Sequence, residues 1–117
     1  MWFCFNDGFC SAVQDRDDPN GLVVRARRRK DIENIFPDKQ VVVGGSTDYN
    51  YRVFCSKEEF AKLVSDSIMD INYNNFKNSV RDHELHDLYC NFWELHYSYQ
   101  KHENENGWGR HPPLITY

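Results

Sequence analysis

Five cationic side chains, Arg25, Arg27, Arg28, Arg29 and Lys30, occupy six consecutive positions in a chain of 117 residues whose formal net charge is −4. Four of the five are Arg, whose planar fork of N–H donors suits two-pronged recognition of carboxylates and phosphates. Such a cluster could grip another protein with an acidic or phosphate-mimicking surface, or a nucleic-acid backbone. A charge run is also commonly a solvated face without any partner. Tyr49, Tyr51 and Arg52 form a second aromatic and cationic candidate, since tyrosines beside an Arg can stack on bases or anchor an interface. The plain alternative is that Tyr51 caps the core at a strand start.

Metal or nucleophile chemistry has less to work with. His83 and His86 stand three apart with Asp82 and Asp87 beside them, and His96 lies ten beyond His86, on nearly the same side of a helix. A small metal-dependent hydrolase or nuclease could be built there. However, no His-Glu-x-x-His pattern occurs and no Cys pairs by spacing, so no metal and no cofactor is implied. The four cysteines, Cys4, Cys10, Cys55 and Cys90, are expected to stay reduced, and Cys55 and Cys90 fall in apolar patterns that predict inert thiols. The run Gly44-Gly45-Ser46-Thr47 is too short for a phosphate-binding loop and lacks its Lys. The chain therefore reads as non-enzymatic.

Aromatic residues make up 15% of the chain, which argues for a packed core and against disorder. The length suits one domain. No apolar run nears the roughly 20 residues that cross a bilayer, and the start "MWFCFNDGFC" lacks the basic lead of a signal peptide, so a cytoplasmic protein without membrane contact is expected. Charge is uneven. Residues 1–56 hold eight Lys+Arg against eight Asp+Glu and residues 57–117 hold six against ten, so the second half carries the whole −4.

The elements that must position these groups follow from periodicity. Asp7-Gly8 signals a type I′ hairpin between strands at residues 2–6 and 9–14. Phe5 would then face Cys10, and Phe3 would face Ala12, those four sharing one face. Trp2, Cys4, Phe9 and Val13 would share the other. Both faces are apolar, so both need cover, and a homodimer through the hairpin is one way to supply it. "LVVRAR" alternates as a half-buried strand that carries Arg25 and Arg27 outward. A short helix follows, with Asp31 near its start and Ile32, Ile35 and Phe36 inward, stopping before Pro37. "VVVGG" and "YRVFC" read as two more strands. Ser56-Lys57-Glu58-Glu59 is a capping box that starts a helix at Lys57, with a buried stripe of Phe60, Leu63, Val64, Ile68 and Ile71. A shorter helix carries Tyr73, Phe76 and Val80. A long one over residues 83–101 lines up Leu85, Leu88, Tyr89, Phe92, Leu95, His96 and Tyr99. The fold class is α+β: an antiparallel sheet of about five strands with three to four helices, in the order β-β-β-α-β-β-α-α-α. Residues 1–102 form the domain and residues 103–117 a polar tail.

The strings "GFCSAVQDRDDPNGLVVRARRRKDIENIFPD", "DYNYRVFCSKEEF" and "DINYNNFKNSV", with the Trp93 helix ending in "YSYQ", span about residues 2–100. Together they resemble a family of small uncharacterised proteins of bacteria and their phages. The resemblance implies a compact cytoplasmic domain of mobile-element origin and carries over no site. The Gly-rich "GGSTDYN" loop and the long polar tail depart from that pattern.

The expectation is a non-enzymatic module that binds a host protein through the Arg cluster and acidic positions of the second half. Occlusion of a defence protein, as an anti-CRISPR-type inhibitor does, is one concrete version. The alternatives are nucleic-acid binding through the same arginines with Tyr49 and Tyr51, and a hydrolase or nuclease using Asp82, His83 and His86.

Overall fold

A computed structural model describes residues 1–44 and 48–105. Five strands, β1 (Trp2–Phe5), β2 (Gly8–Gln14), β3 (Gly21–Ala26), β4 (Val42–Val43) and β5 (Tyr51–Ser56), form one antiparallel sheet in the order β1-β2-β3-β5-β4. Four helices complete it: α1 (Arg29–Ile35), α2 (Lys57–Met69), α3 (Phe76–Ser79) and α4 (His83–Glu105). The expected α+β architecture and element order are what the chain adopts.

The first hairpin turns elsewhere than expected. Phe5 pairs with Gly8 and Phe3 with Cys10, so Asn6 and Asp7 make the turn. The shift is two residues, and because side chains alternate with period two the face assignments survive. Among the described residues the sole positive φ belongs to Gly44, at 90°, so this is not a type I′ turn. Gly8 is glycine for another reason. A Cβ there would lie 2.8 Å from the backbone oxygen of Asp31, and only the absence of a side chain lets α1 approach β2 so closely.

One sheet face carries Cys10, Ala12, Val24, Ala26, Val53 and Cys55, which pack with Ile32, Ile35 and Phe36 from α1 and Phe60 from α2. Val24, Val53, Ile32 and Cys10 are wholly inaccessible. On the opposite face Phe9 joins Val80, Leu85 and Tyr89 over the first hairpin. The Tyr89 hydroxyl donates to the carbonyls of Phe5 at 2.8 Å and Gly8 at 3.1 Å, tying α4 to the hairpin turn. Helices thus lie over both hairpin faces, while Trp2, Cys4 and Val13 on the α4 side stay exposed.

Other elements differ in extent. The strand expected over residues 41–45 is only two residues long, and Gly45, Ser46 and Thr47 lie outside the described residues. The capping box at Ser56 is formed in full: Glu59 N–H donates to Ser56 Oγ at 3.0 Å and Ser56 N–H to Glu59 Oε1 at 3.3 Å. Yet of the α2 stripe only Phe60 is buried, while Ile68 is 58% and Ile71 51% exposed, lining an open cleft with Cys4 and Phe5 of β1. The long helix continues through Glu105, beyond the boundary expected at residue 102. The rest of the expected tail, 106–117, lies outside the described residues. No described helix is long and apolar enough to cross a membrane.

Candidate interaction surface

Strand alternation sets Arg25 on the face away from Val24 and Ala26, but its charge does not reach freely into solvent. One Nη donates to Ser11 Oγ at 3.2 Å, and the guanidinium lies 4.5 Å from the Tyr49 ring centre. Its Nε is buried without a hydrogen-bond acceptor among the described residues, and the ring face supplies a compensating attraction. Arg27 stands 4.4 Å from the same ring and pairs with Asp48 Oδ1 at 2.8 Å. Arg28 is the most heavily engaged. It donates through Nε at 3.1 Å and Nη2 at 2.5 Å to Asp31 Oδ1, and through Nη1 at 3.0 Å to Asp82 Oδ1. Arg29 pairs with Glu33 at 3.5 Å and Lys30 with Asp82 Oδ2 at 2.6 Å.

The expected outward placement holds for Arg27, Arg29 and Lys30, whose side chains are 59, 52 and 52% exposed, while Arg25 and Arg28 are drawn into the fold. Four members of the cluster hold carboxylates of the chain itself, and the fifth is spent on Ser11 and Tyr49. Asp31 is buried and also accepts the Phe9 backbone N–H at 3.3 Å. Asp82 caps α4 by accepting Leu85 N–H at 2.9 Å. The Lys30 ammonium, that N–H and the Arg28 guanidinium hold the Asp82 carboxyl well below the usual carboxylate range. Arg28 and Lys30 are therefore a strut that pins the start of α4 to the start of α1.

Tyr49, Tyr51 and Arg52 do not form a common platform. Tyr49 is buried, with 4% exposure, and offers no ring face to a base. Tyr51 packs against the core under α1 and α2, and Arg52 donates to the Gly44 carbonyl at 2.7 Å, closing the β4–β5 connection. The histidines do not gather into a ligand set, although His83 and His86 both approach Asp87, at 3.5 and 3.9 Å. His83 is 90% exposed beside Asp87, His86 lies 3.7 Å from Cys90 Sγ, and Asp82 is engaged by the strut. Among the described residues no group of three or more His, Cys, Asp or Glu could hold a metal ion. All four cysteines are free. Burial raises the Cys4 and Cys55 thiols and pushes Cys10 up to about 12, the opposite of an activated nucleophile.

The surface that sequence reasoning missed is the outer half of α4. Its stripe is buried where it meets the hairpin, Leu85 at 1% and Tyr89 at 3%, but Leu95 is 65% and Tyr99 78% exposed. From Trp93 to Glu103 every side chain is exposed. Trp93 stacks on Tyr97 at 5.7 Å, with Lys77 Nζ 4.7 Å from the indole. Trp2, 67% exposed, continues the stripe at the helix base by stacking on Phe92 at 6.3 Å. A cleft of about 350 Å³ opens between Trp2, Leu88 and Arg27, and another of about 460 Å³ between Phe76, Trp93 and His96. Length was the available signal. A helix of 23 residues is roughly 35 Å long, whereas the longest strand beneath it, of seven residues, spans roughly 23 Å. No protein family matches the chain, and neither does any curated protein or solved structure, so the functional reading stands on this geometry.

Proposed function

We propose that the protein is a non-enzymatic protein-binding module whose contact element is the outer half of α4 together with Trp2. The observation that carries this is the exposure of Leu95 and Tyr99 on one side of the helix and of Trp93 and Tyr97 on the other, at 65, 78, 53 and 56%, on a helix that has left its own core. Large aromatic side chains kept in water cost solubility, and such patches mark contact sites in soluble proteins. Tyr and Trp also supply much contact area for few rotatable bonds, which makes them strong anchors. The Arg28–Asp31–Asp82 network contributes rigidity: it fixes the angle at which α4 leaves the body.

A photo-crosslinking amino acid placed at Tyr99, with one at Asp17 as control, tests this in cells that produce the full chain. Adducts of higher mass are expected from position 99 and not from position 17. If position 99 gives no adduct while the protein is folded, the helix is not a contact element.

A further inference from the structure

We infer that the molecule seated on α4 is a second copy of this chain, whose own α4 runs antiparallel to the first. This rests on the reading of α4 as the contact element and names its partner. Leu85, Leu88, Phe92, Leu95 and Tyr99 follow one another at intervals of three, four, three and four residues, the spacing of a helix–helix seam. Leu88 is 36% exposed, and with Trp2, Leu95 and Tyr99 it forms one side of the helix. At the usual side-chain areas these four expose roughly 500 Å² per chain. A standard interface takes about 800 Å² from each partner, some three-fifths of it apolar. The stripe therefore has the apolar area that one half of such an interface needs.

The direction follows from what already occupies the stripe. At positions 85 and 92 it already meets the molecule's own hairpin, Leu85 being inaccessible and Phe92 packed on Phe9 and Trp2. A parallel partner helix would drive the second body into that hairpin. An antiparallel partner overlaps only the outer halves, and each tip then reaches the Trp2 and Leu88 of the other copy. Charge does not oppose the pairing. Of the positions flanking the exposed seam, Asn91, Ser98 and His96 carry no carboxylate or ammonium, while Glu103 lies seven beyond His96 on the same side and, with the helices antiparallel, comes to the Trp2–Leu88 cleft of the other copy, which Arg27, Arg28 and Glu84 line.

Light scattering of the full chain across a dilution series, with small-angle X-ray scattering, tests the inference. The expected mass is twice 14.0 kDa, falling to 14.0 kDa in Leu95→Glu/Tyr99→Glu with an unchanged circular dichroism spectrum. Leu95→Ser/Tyr99→Ser, which adds no charge, should weaken association at least tenfold. The long axis of one chain is 49 Å, and overlap of the outer halves gives a dimer about 80 Å long. A monomer at every concentration, a dimer indifferent to both variants, or a dimer no longer than one chain would each overturn it. A monomeric protein that still gives foreign adducts from position 99 would sink the self-pairing and leave the contact element standing. A monomer without adducts would sink both.

Discussion

Asp31→Ala is the most searching test of the strut. The carboxylate is 4% exposed and takes three donors: Nε and Nη2 of Arg28, and the backbone N–H of Phe9. Removing one partner of a buried ion pair costs about 3–5 kcal/mol, because the other charge is left uncompensated. Here Arg28 keeps Asp82 at 3.0 Å and its side chain is 27% exposed, which places the loss at the lower end, about 3 kcal/mol. In a domain of this size that lowers the thermal midpoint by roughly 10 °C. Urea unfolding of Asp31→Ala, Arg28→Met and the double variant would measure it. The double variant leaves neither a bare guanidinium nor a bare carboxylate, so it should lose at least about 1.5 kcal/mol less than the sum of the singles. A single-variant loss below about 1 kcal/mol, or strict additivity, would mean that Arg28 is not tied down.

Three further outcomes are expected. Gly8→Ala should destabilise by about 1–3 kcal/mol, since its Cβ would meet the Asp31 carbonyl at 2.8 Å; an unchanged urea midpoint would show that α1 yields without cost. Ser56→Ala removes half of the capping box at α2 and should cost about 1 kcal/mol, against little change for the exposed Ser98→Ala. Stability should fall as pH rises: unfolded thiols ionise from their ordinary 9.0 while Cys10, held up to about 12, stays protonated in the folded state. That contribution is complete below pH 9 and is lost at about 1.4 kcal/mol per unit above it. Tyr89, raised from 10.0 chiefly by burial, acts in the same direction from about pH 10. Cys10→Ala should flatten the profile of urea midpoint against pH between 8 and 11, and an identical profile would remove the cause assigned to it.

Where local chemistry decides, the sequence is readable. The capping box at Ser56, the inward trio Ile32, Ile35 and Phe36, and the two apolar faces of the first hairpin all appear in the fold. Gly8 misleads because its turn signal is identical to the signal for close packing, and only the neighbouring helix distinguishes them. The internal partners of the Arg cluster are not legible because they lie far along the chain, Asp48 and Asp82 being 21 and 54 residues away from Arg27 and Arg28. Periodicity shows which side of α4 is apolar, but not where the covering sheet ends. Leu85 and Leu95 look alike in sequence and differ in exposure from 1% to 65%.

Phe9 and Cys10 are consecutive in β2, yet each anchors a different hydrophobic cluster, one beneath α4 and the other beneath α1. A one-residue slip of the first hairpin would leave a thiol where Phe9 fills the cluster beneath α4 and force a phenyl ring into the wholly inaccessible site of Cys10 beneath α1. Both clusters would reject the slipped pairing at once. A strand that serves two cores proofreads its own alignment, which is how so short a ribbon at the edge of a sheet can hold a single pairing.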